Sequence, residues 1–455
     1  MDPAFLELPP EVVRTSMRTH QKYFAVRERQ GDALAPRFIV VANISAGTSE
    51  LIAAGNAKVL AARLSDARFF WREDGRIALE DRLQRLEGVT FHAALGTMRQ
   101  RVERLEAAAA ALAAHLGARQ EEARLAARLA KCDLVTGMVG EFPELQGVMG
   151  GYYARAEGRR ALAGPLAGRG AWSAATDEAA VDAVADAIRD QYRPQGPSDA
   201  LPEGRLGRVL ALADKLDLLI GFFAVGEKPT GSRDPFALRR AALGAVRILL
   251  AEPAGVDVDR LLAAVAAADE RQSAVRTQAA LEVKAFMLER LKGLLKEEGG
   301  RHDVLDAVFA AGVADLAGVG ARAKALSAFI DGEAGASLLA GYRRAANILR
   351  AGARKGGSEP EPPAIASDGG EGPAAETGLE TALLGVEDGL RAALARADHA
   401  RALELLSQLR APVDLFFEKV LVNDSDPEIR RRRLSLLSRV RDAANGVADF
   451  SLISG

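Results

Sequence analysis

The chain has 455 residues, of which 49% are hydrophobic and 27% charged, with a formal net charge of −2 and a pI near 6.3. That length predicts roughly three domains, and the apolar share excludes wholesale disorder. The near-neutral balance excludes steering of nucleic acid by the whole molecule, so any such binding needs local basic patches. Cys132 is the single cysteine, which excludes a disulfide framework and a thiolate zinc cluster. No basic region leads into an apolar stretch at the start, and the run Leu216–Val225 is too short to span a bilayer. A reducing, cytoplasmic setting is expected.

In chain order, KYFAVRE and RFIVVANI read as two strands, joined by RQGDALAP, whose Gly31-Asp32 and Pro36 suit a hairpin connection. A helix is expected around Leu51–Phe70. From Leu95 onward the period is helical, with helices over Thr97–His115, Arg119–Cys132, Thr176–Tyr192, Leu206–Ile220, Pro235–Ala251, Gln278–Glu298, Asp303–Ala311 and Ala321–Ile330. Val283, Phe286, Met287, Leu291, Leu294 and Leu295 share one face of the Gln278 helix and read as core. Ala161–Ala175 is Gly-, Ala- and Pro-rich and reads as an inserted surface loop. Gly352–Gly378 reads as a linker. Leu379–Gly455 then forms a helical module of its own. The chain is expected to be mainly α and multidomain: an α/β segment over 1–92, helical domains over 93–255 and 256–351, the linker 352–378, and the module 379–455.

The run GSRDPFALRRAALG, from Gly231 to Gly244, predicts a bend, an N-cap at Asp234 and a helix opening at Pro235. Arg233, Arg239 and Arg240 crowd that helix start, where an anion would be favoured, although on mechanics alone a well-capped core helix with solvated arginines is the favoured reading. The histidines His20, His92, His115, His302 and His399 never pair at metal-ligand spacing. His302-Asp303 reads as an N-cap by Asp303 ahead of VLDAVFA rather than as a ligand pair. Gly318-Val-Gly320 lacks a third glycine and a preceding strand, and GxxxxGK[ST] and G-x-S-x-G are both missing. No catalytic residue and no metal site is therefore expected. Basic features remain: Arg430–Arg433 span a turn of a C-terminal helix, so some of them must meet solvent, where phosphates or unpaired bases can be bound. Arg343-Arg344 is a weaker cluster, and Lys22 stands beside Tyr23 and Phe24 at a strand edge.

KCDLVTGMVGEFPELQGVMGGYYA at 131–154, followed by ALADKLD at 211–217, resembles an HD-type helical core in which Cys132-Asp133 stands where that family has His-Asp. Without the histidines the resemblance implies a degenerate domain, with Asp133 and Asp214 as hydrogen-bonding core residues. Together with SMRTHQKYF, GNAKVLAARLSDARFF, PTGSRDPFALRRAALG and APVDLFFEKVLVNDSDPEIRRRRLSLLSRV, these runs are similar to the β subunit of bacterial tetrameric glycyl-tRNA synthetase, from about Phe5 to Ile453. The chain resembles that subunit without its usual N-terminal portion. PVDLFFEKVLV before the arginine helix resembles the DALR anticodon-binding domain.

The family implies an α2β2 enzyme that joins glycine to tRNA(Gly). ATP and Mg are used by the complex at an adenylate-forming site on the α subunit, and no cofactor is bound by this chain. By the same resemblance, Lys419, Arg430, Arg431, Arg432 and Arg433 are expected to contact the anticodon arm. Lys22, Arg233, Arg239 and Arg240 are candidates for tRNA or α-subunit contact. The competing expectations are a metal-dependent HD phosphohydrolase and a helical scaffold without RNA affinity.

Overall fold

A computed structural model describes residues 1–29, 31–43, 49–163, 170–269, 272–354 and 374–454. They form two compact units, one of Met1–Ile248 with Asp259–Met287, the other of Leu249–Val258 with Leu288–Gly455. Both are mainly helical. The expected segments 1–92 and most of 93–255 fall within the first unit, and the expected body 256–351 is divided between the two.

The first unit opens with helix α1 (Pro10–Thr15) and an antiparallel hairpin of β1 (Phe24–Arg27) and β2 (Leu34–Ile39), with Phe24 opposite Ile39 and Ala25 opposite Phe38. Gly31 takes φ +87° in the turn. Pro36, expected in the connection, lies inside β2, where an edge strand tolerates a missing N–H. After α2 (Ser49–Asp74) comes a second small hairpin, β3 (Thr90–His92) with β4 (Gly96–Thr97), which the sequence pattern did not signal. Helices α3 (Met98–Leu116), α4 (Gln120–Leu129), α5 (Gly137–Glu141), α6 (Val148–Ala163), α7 (Glu178–Asp190) and α8 (Gly204–Ala224) build the core. Thr97 and Gln100 close a capping box at the start of α3, which explains its sharp onset.

Helix α8 is buried on nearly all sides between Leu206 and Phe223, so it is the central helix, with α3, α4 and α7 against it. Helix α6 is absent from the expected elements because Gly150, Gly151 and Gly158 weaken its helical signal. Those glycines allow close approach to α7: a Cβ on Gly151 would stand 2.8 Å from the Ala185 carbonyl oxygen, and one on Gly158 would stand 2.6 Å from Val181. Helices α9 (Leu238–Leu250), α10 (Val258–Ala266) and α11 (Ser273–Glu297) follow. Val283 and Met287 of α11 are buried as expected, and Phe286 meets Phe223 at 5.4 Å between ring centroids.

The second unit holds α12 (His302–Ala310), α13 (Leu316–Ile330), α14 (Glu333–Arg354), α15 (Ala374–Ala395), α16 (His399–Ser407), α17 (Arg410–Lys419) and α18 (Pro427–Asn445). Helix α15 lies against α16, α17 and α18, and α14 against α17 and α18. Tyr342 of α14 donates to Asn445 at 2.8 Å, with its ring 5.5 Å from Phe450. Asp303 is not an N-cap: Arg301 holds that position, and Asp303 sits in the first turn of α12, accepting from Val304 N and Ser454 N. Of the expected loop 161–175, residues 164–169 lie outside the described residues, while 161–163 complete α6 and Gly170–Ala174 form a 3-10 turn that buries Trp172. Of the expected linker 352–378, residues 355–373 lie outside the described residues, and its two ends are helical.

Candidate functional site

Two helices of the first unit carry matched pairs at i,i+3 spacing: Arg101 and Arg104 on α3, Asp214 and Asp217 on α8. That spacing puts each pair on one helix face, and the facing helices bring the pairs together. Arg101 Nη2 meets Asp214 Oδ1 at 3.0 Å, and Arg104 Nε meets Asp217 Oδ1 at 2.9 Å. Arg276 of α11 adds a second guanidinium to Asp217 Oδ1 at 2.9 Å, and Lys131 Nζ reaches Asp214 Oδ1 at 2.7 Å. All six side chains are buried. Burial opposes the charge on Asp214, but Arg101 and Lys131 outweigh it and hold its pKa down at about 2. Burial lowers the Lys131 pKa to about 8, partly offset by Asp214, so the pair is ionised at neutral pH.

Asp133, the aspartate of the Cys132-Asp133 dipeptide, accepts from the Gly147 and Gly150 amides at 2.6 and 3.0 Å through Oδ2. Burial raises its pKa to about 6 despite those amides, and burial likewise pushes the Cys132 thiol up, away from nucleophilic use. The two aspartates available to an HD-type metal site are thus committed to protein donors, Asp133 to backbone amides and Asp214 to an ammonium and a guanidinium. Among the described residues no cluster of three or more His, Cys, Asp or Glu side chains is placed to hold a metal ion. This centre ties α3, α8 and α11 together through buried ion pairs. Sequence reading missed Arg101, Arg104, Lys131 and Arg276; the paired i,i+3 spacing on two apolar helices was the available signal.

The Gly231–Gly244 run is built differently from its expectation. Asp234 does cap the helix, accepting from Leu238 N at 2.8 Å and Arg239 N at 2.9 Å. The helix, however, opens at Leu238 and not at Pro235, because Ala237 takes φ +55° and Pro235-Phe236 form a turn. Arg239 folds back to donate to the Gly231 carbonyl at 2.7 Å, so it closes its own loop. Arg233 and Arg240 are exposed. Lys22 is also exposed and takes φ +59°, while its neighbour Tyr23 is buried, stacked 5.1 Å from Phe38 and donating to Asn56 at 2.8 Å.

In the second unit the arginine run divides by helical geometry. Asp426 caps α18, accepting from Glu428 N and Ile429 N. Arg430 is exposed, and Arg431 is exposed with an i,i+3 partner in Glu428 at 2.8 Å. Arg432 is half exposed and meets Glu376 of α15 at 2.7 Å. Arg433 faces inward, 6% exposed, pairing with Asp424 at 2.7 Å and Glu376 at 3.2 Å and donating to the Leu421 carbonyl at 2.8 Å. Lys419, at the end of α17, is exposed beside Glu418. Of the α14 pair, half-buried Arg343 donates to the Ile453 carbonyl, and Arg344, although exposed, lies 4.6 Å over the Phe417 ring. Lys419 and Arg430–Arg432 are solvent-facing cations clustered around the α17–α18 connection, while Arg344, Arg391, Arg396 and Arg401 are exposed elsewhere in the module. The exposed pairs Lys419–Glu418 and Arg431–Glu428 are worth little and can exchange for phosphate.

The family model described as glycyl-tRNA synthetase beta subunit matches residues 1–163 and 166–310. The chain belongs to that family. A DALR anticodon binding domain model matches residues 338–447, a span that opens within α14. Relatives carrying the name glycine–tRNA ligase beta subunit are similar along the whole length of the chain. The one from Phenylobacterium zucineum is 52% identical, the one from Rhodospirillum centenum 47% and one from Cereibacter sphaeroides 44%, over 100%, 100% and 99% of this chain. The chain spans 62%, 61% and 62% of those relatives' own lengths. Among the described residues no helix is long and apolar enough to cross a membrane.

Proposed function

We propose that the chain is the tRNA-binding part of a glycine–tRNA ligase beta subunit, acting in the cytoplasm beside an alpha subunit that carries the adenylate-forming site. In this reading ATP and Mg act at the alpha subunit, and this chain supplies affinity and orientation for tRNA(Gly). The observation that carries it is the cationic edge of the DALR-matched module: Lys419 at the end of α17 and Arg430–Arg432 opening α18. Arg433 supports this edge from beneath. Arg233, Arg240 and Lys22 are exposed cations of the first unit and serve as further contacts to tRNA or to the alpha subunit. The buried Asp214–Lys131–Arg101 cluster argues for a structural role for the HD-like core, against a phosphohydrolase.

The test is equilibrium binding of tRNA(Gly) across a salt series. If Lys419 and Arg430–Arg432 neutralise about four phosphates, log affinity falls with log salt at a slope of about −3, or ~50-fold between about 50 and 200 mM. Replacing Arg430 and Arg431 by alanine should flatten that slope by roughly 1.5. Salt-independent binding, or a slope unchanged in the double variant, contradicts the assignment.

A further inference from the structure

Between α17 and α18 the chain is extended at Val420, with φ −117° and ψ 123°, and burial alternates along it. Lys419 is exposed, Val420 is 7% exposed, Leu421 74%, Val422 6%, and Asn423 is exposed again. Lys419 closes α17 and the chain bends at 422–423, and across this turn Lys419, Leu421 and Asn423 reach the surface while the two valines enter the core. A single exposed leucine is ordinary surface. This one is held in place from below: the buried Arg433 donates to the Leu421 carbonyl and pairs with Asp424, and Glu376 fixes the guanidinium from the other side. Asp424 in turn accepts from Asp426 N at 3.0 Å, and Asp426 caps α18. Arg430 precedes Arg433 by three residues and leaves the same helix face one turn nearer the loop.

We infer that the outward stripe Lys419–Leu421–Asn423 is a seat for one unpaired RNA nucleotide, which rests on the tRNA-binding reading above. Each position matches one part of a nucleotide. The Lys419 ammonium suits a phosphate, the Leu421 side chain an exposed base face, and the Asn423 amide, with donor and acceptor together, a base edge. Arg433 is the positioning residue: it touches no RNA, and its fixed geometry removes ordering cost that a mobile loop would incur on binding.

The experiment uses the full chain, fluorescent tRNA(Gly) and its isolated anticodon-arm hairpin, over the same salt series. Leu421→Ala, at an exposed site, should fold as wild type and weaken binding of both RNAs about tenfold at every salt concentration without changing the slope. Arg430→Ala should lower the slope by about 0.7. Asn423→Ala should reduce discrimination against hairpins with altered loop bases. Arg433→Lys should reproduce the Leu421→Ala loss with the slope retained, since an ammonium cannot hold three acceptors in a guanidinium's plane. If Arg430→Ala weakens binding but Leu421→Ala does not, the nucleotide seat is wrong and the tRNA-binding reading stands. A Leu421→Ala effect on the slope also overturns the seat. If the wild-type chain shows no salt-dependent binding, both fail.

Discussion

Asp217 is the most exacting position of the first unit. Its carboxylate is 1% exposed and receives Arg104 and Arg276 at 2.9 Å each, with Arg101 Nε at 3.5 Å. Asp217→Asn keeps the shape and removes the charge, leaving those guanidiniums buried without their common counter-ion. A charge pair near 4 Å at an effective dielectric of 20 interacts by about 4 kcal/mol, and desolvation of the ions cancels much of that. Removing one partner of a buried pair costs about 3–5 kcal/mol, because the stranded charges remain. Trp71 and Trp172 are the chain's two tryptophans and both belong to the first unit, so their fluorescence follows its unfolding alone. With a urea dependence of about 3 kcal/mol per molar, the midpoint should fall by roughly 1–1.7 M. Asp182→Asn, at a partly exposed partner of Arg155 and Arg159, should shift it by less than about 0.3 M. Equal shifts in the two variants would refute the claim that the buried ion cluster holds the helical core.

Two further outcomes follow from the same unit. The Asp133 pKa of about 6 lies above the unfolded value of about 3.9, so the native state holds an extra proton between those pH values and stability falls as pH rises through that window, by up to ~3 kcal/mol. Asp133→Asn should remove that part of the pH profile, and a profile parallel to wild type would contradict it. Gly151→Ala should destabilise by about 1–3 kcal/mol despite alanine's better helix propensity, because its Cβ meets the Ala185 carbonyl and Arg189; a stabilised variant in the same fluorescence assay would refute the close approach.

What the sequence disclosed follows the range of the interactions. Helices α3, α8 and α11 were legible because an apolar period is local, as is the capping box of α3, and the β1–β2 hairpin because its turn is. Helix α6 was hidden, since its glycines serve packing against α7 and read locally as breakers. The opening of α9 was displaced by the left-handed Ala237, which no residue type announces. The ion cluster joins Arg101 to Asp214 and Arg104 to Asp217 across 113 positions, so the local i,i+3 spacings could mark the pairs but not match them to one another. In the arginine run, composition could say that some side chains meet solvent. Which one turns inward depends on Glu376, from a helix on the far side of residues 355–373.

The family assignment rests on matched segments along the chain, and its functional content rests on where tRNA touches. Photo-crosslinking of tRNA(Gly), carrying a reactive base in its anticodon loop, to the full chain tests that most directly. The account predicts attachment within residues 419–432. Attachment confined to the first unit, or none that cognate tRNA competes away, would contradict it.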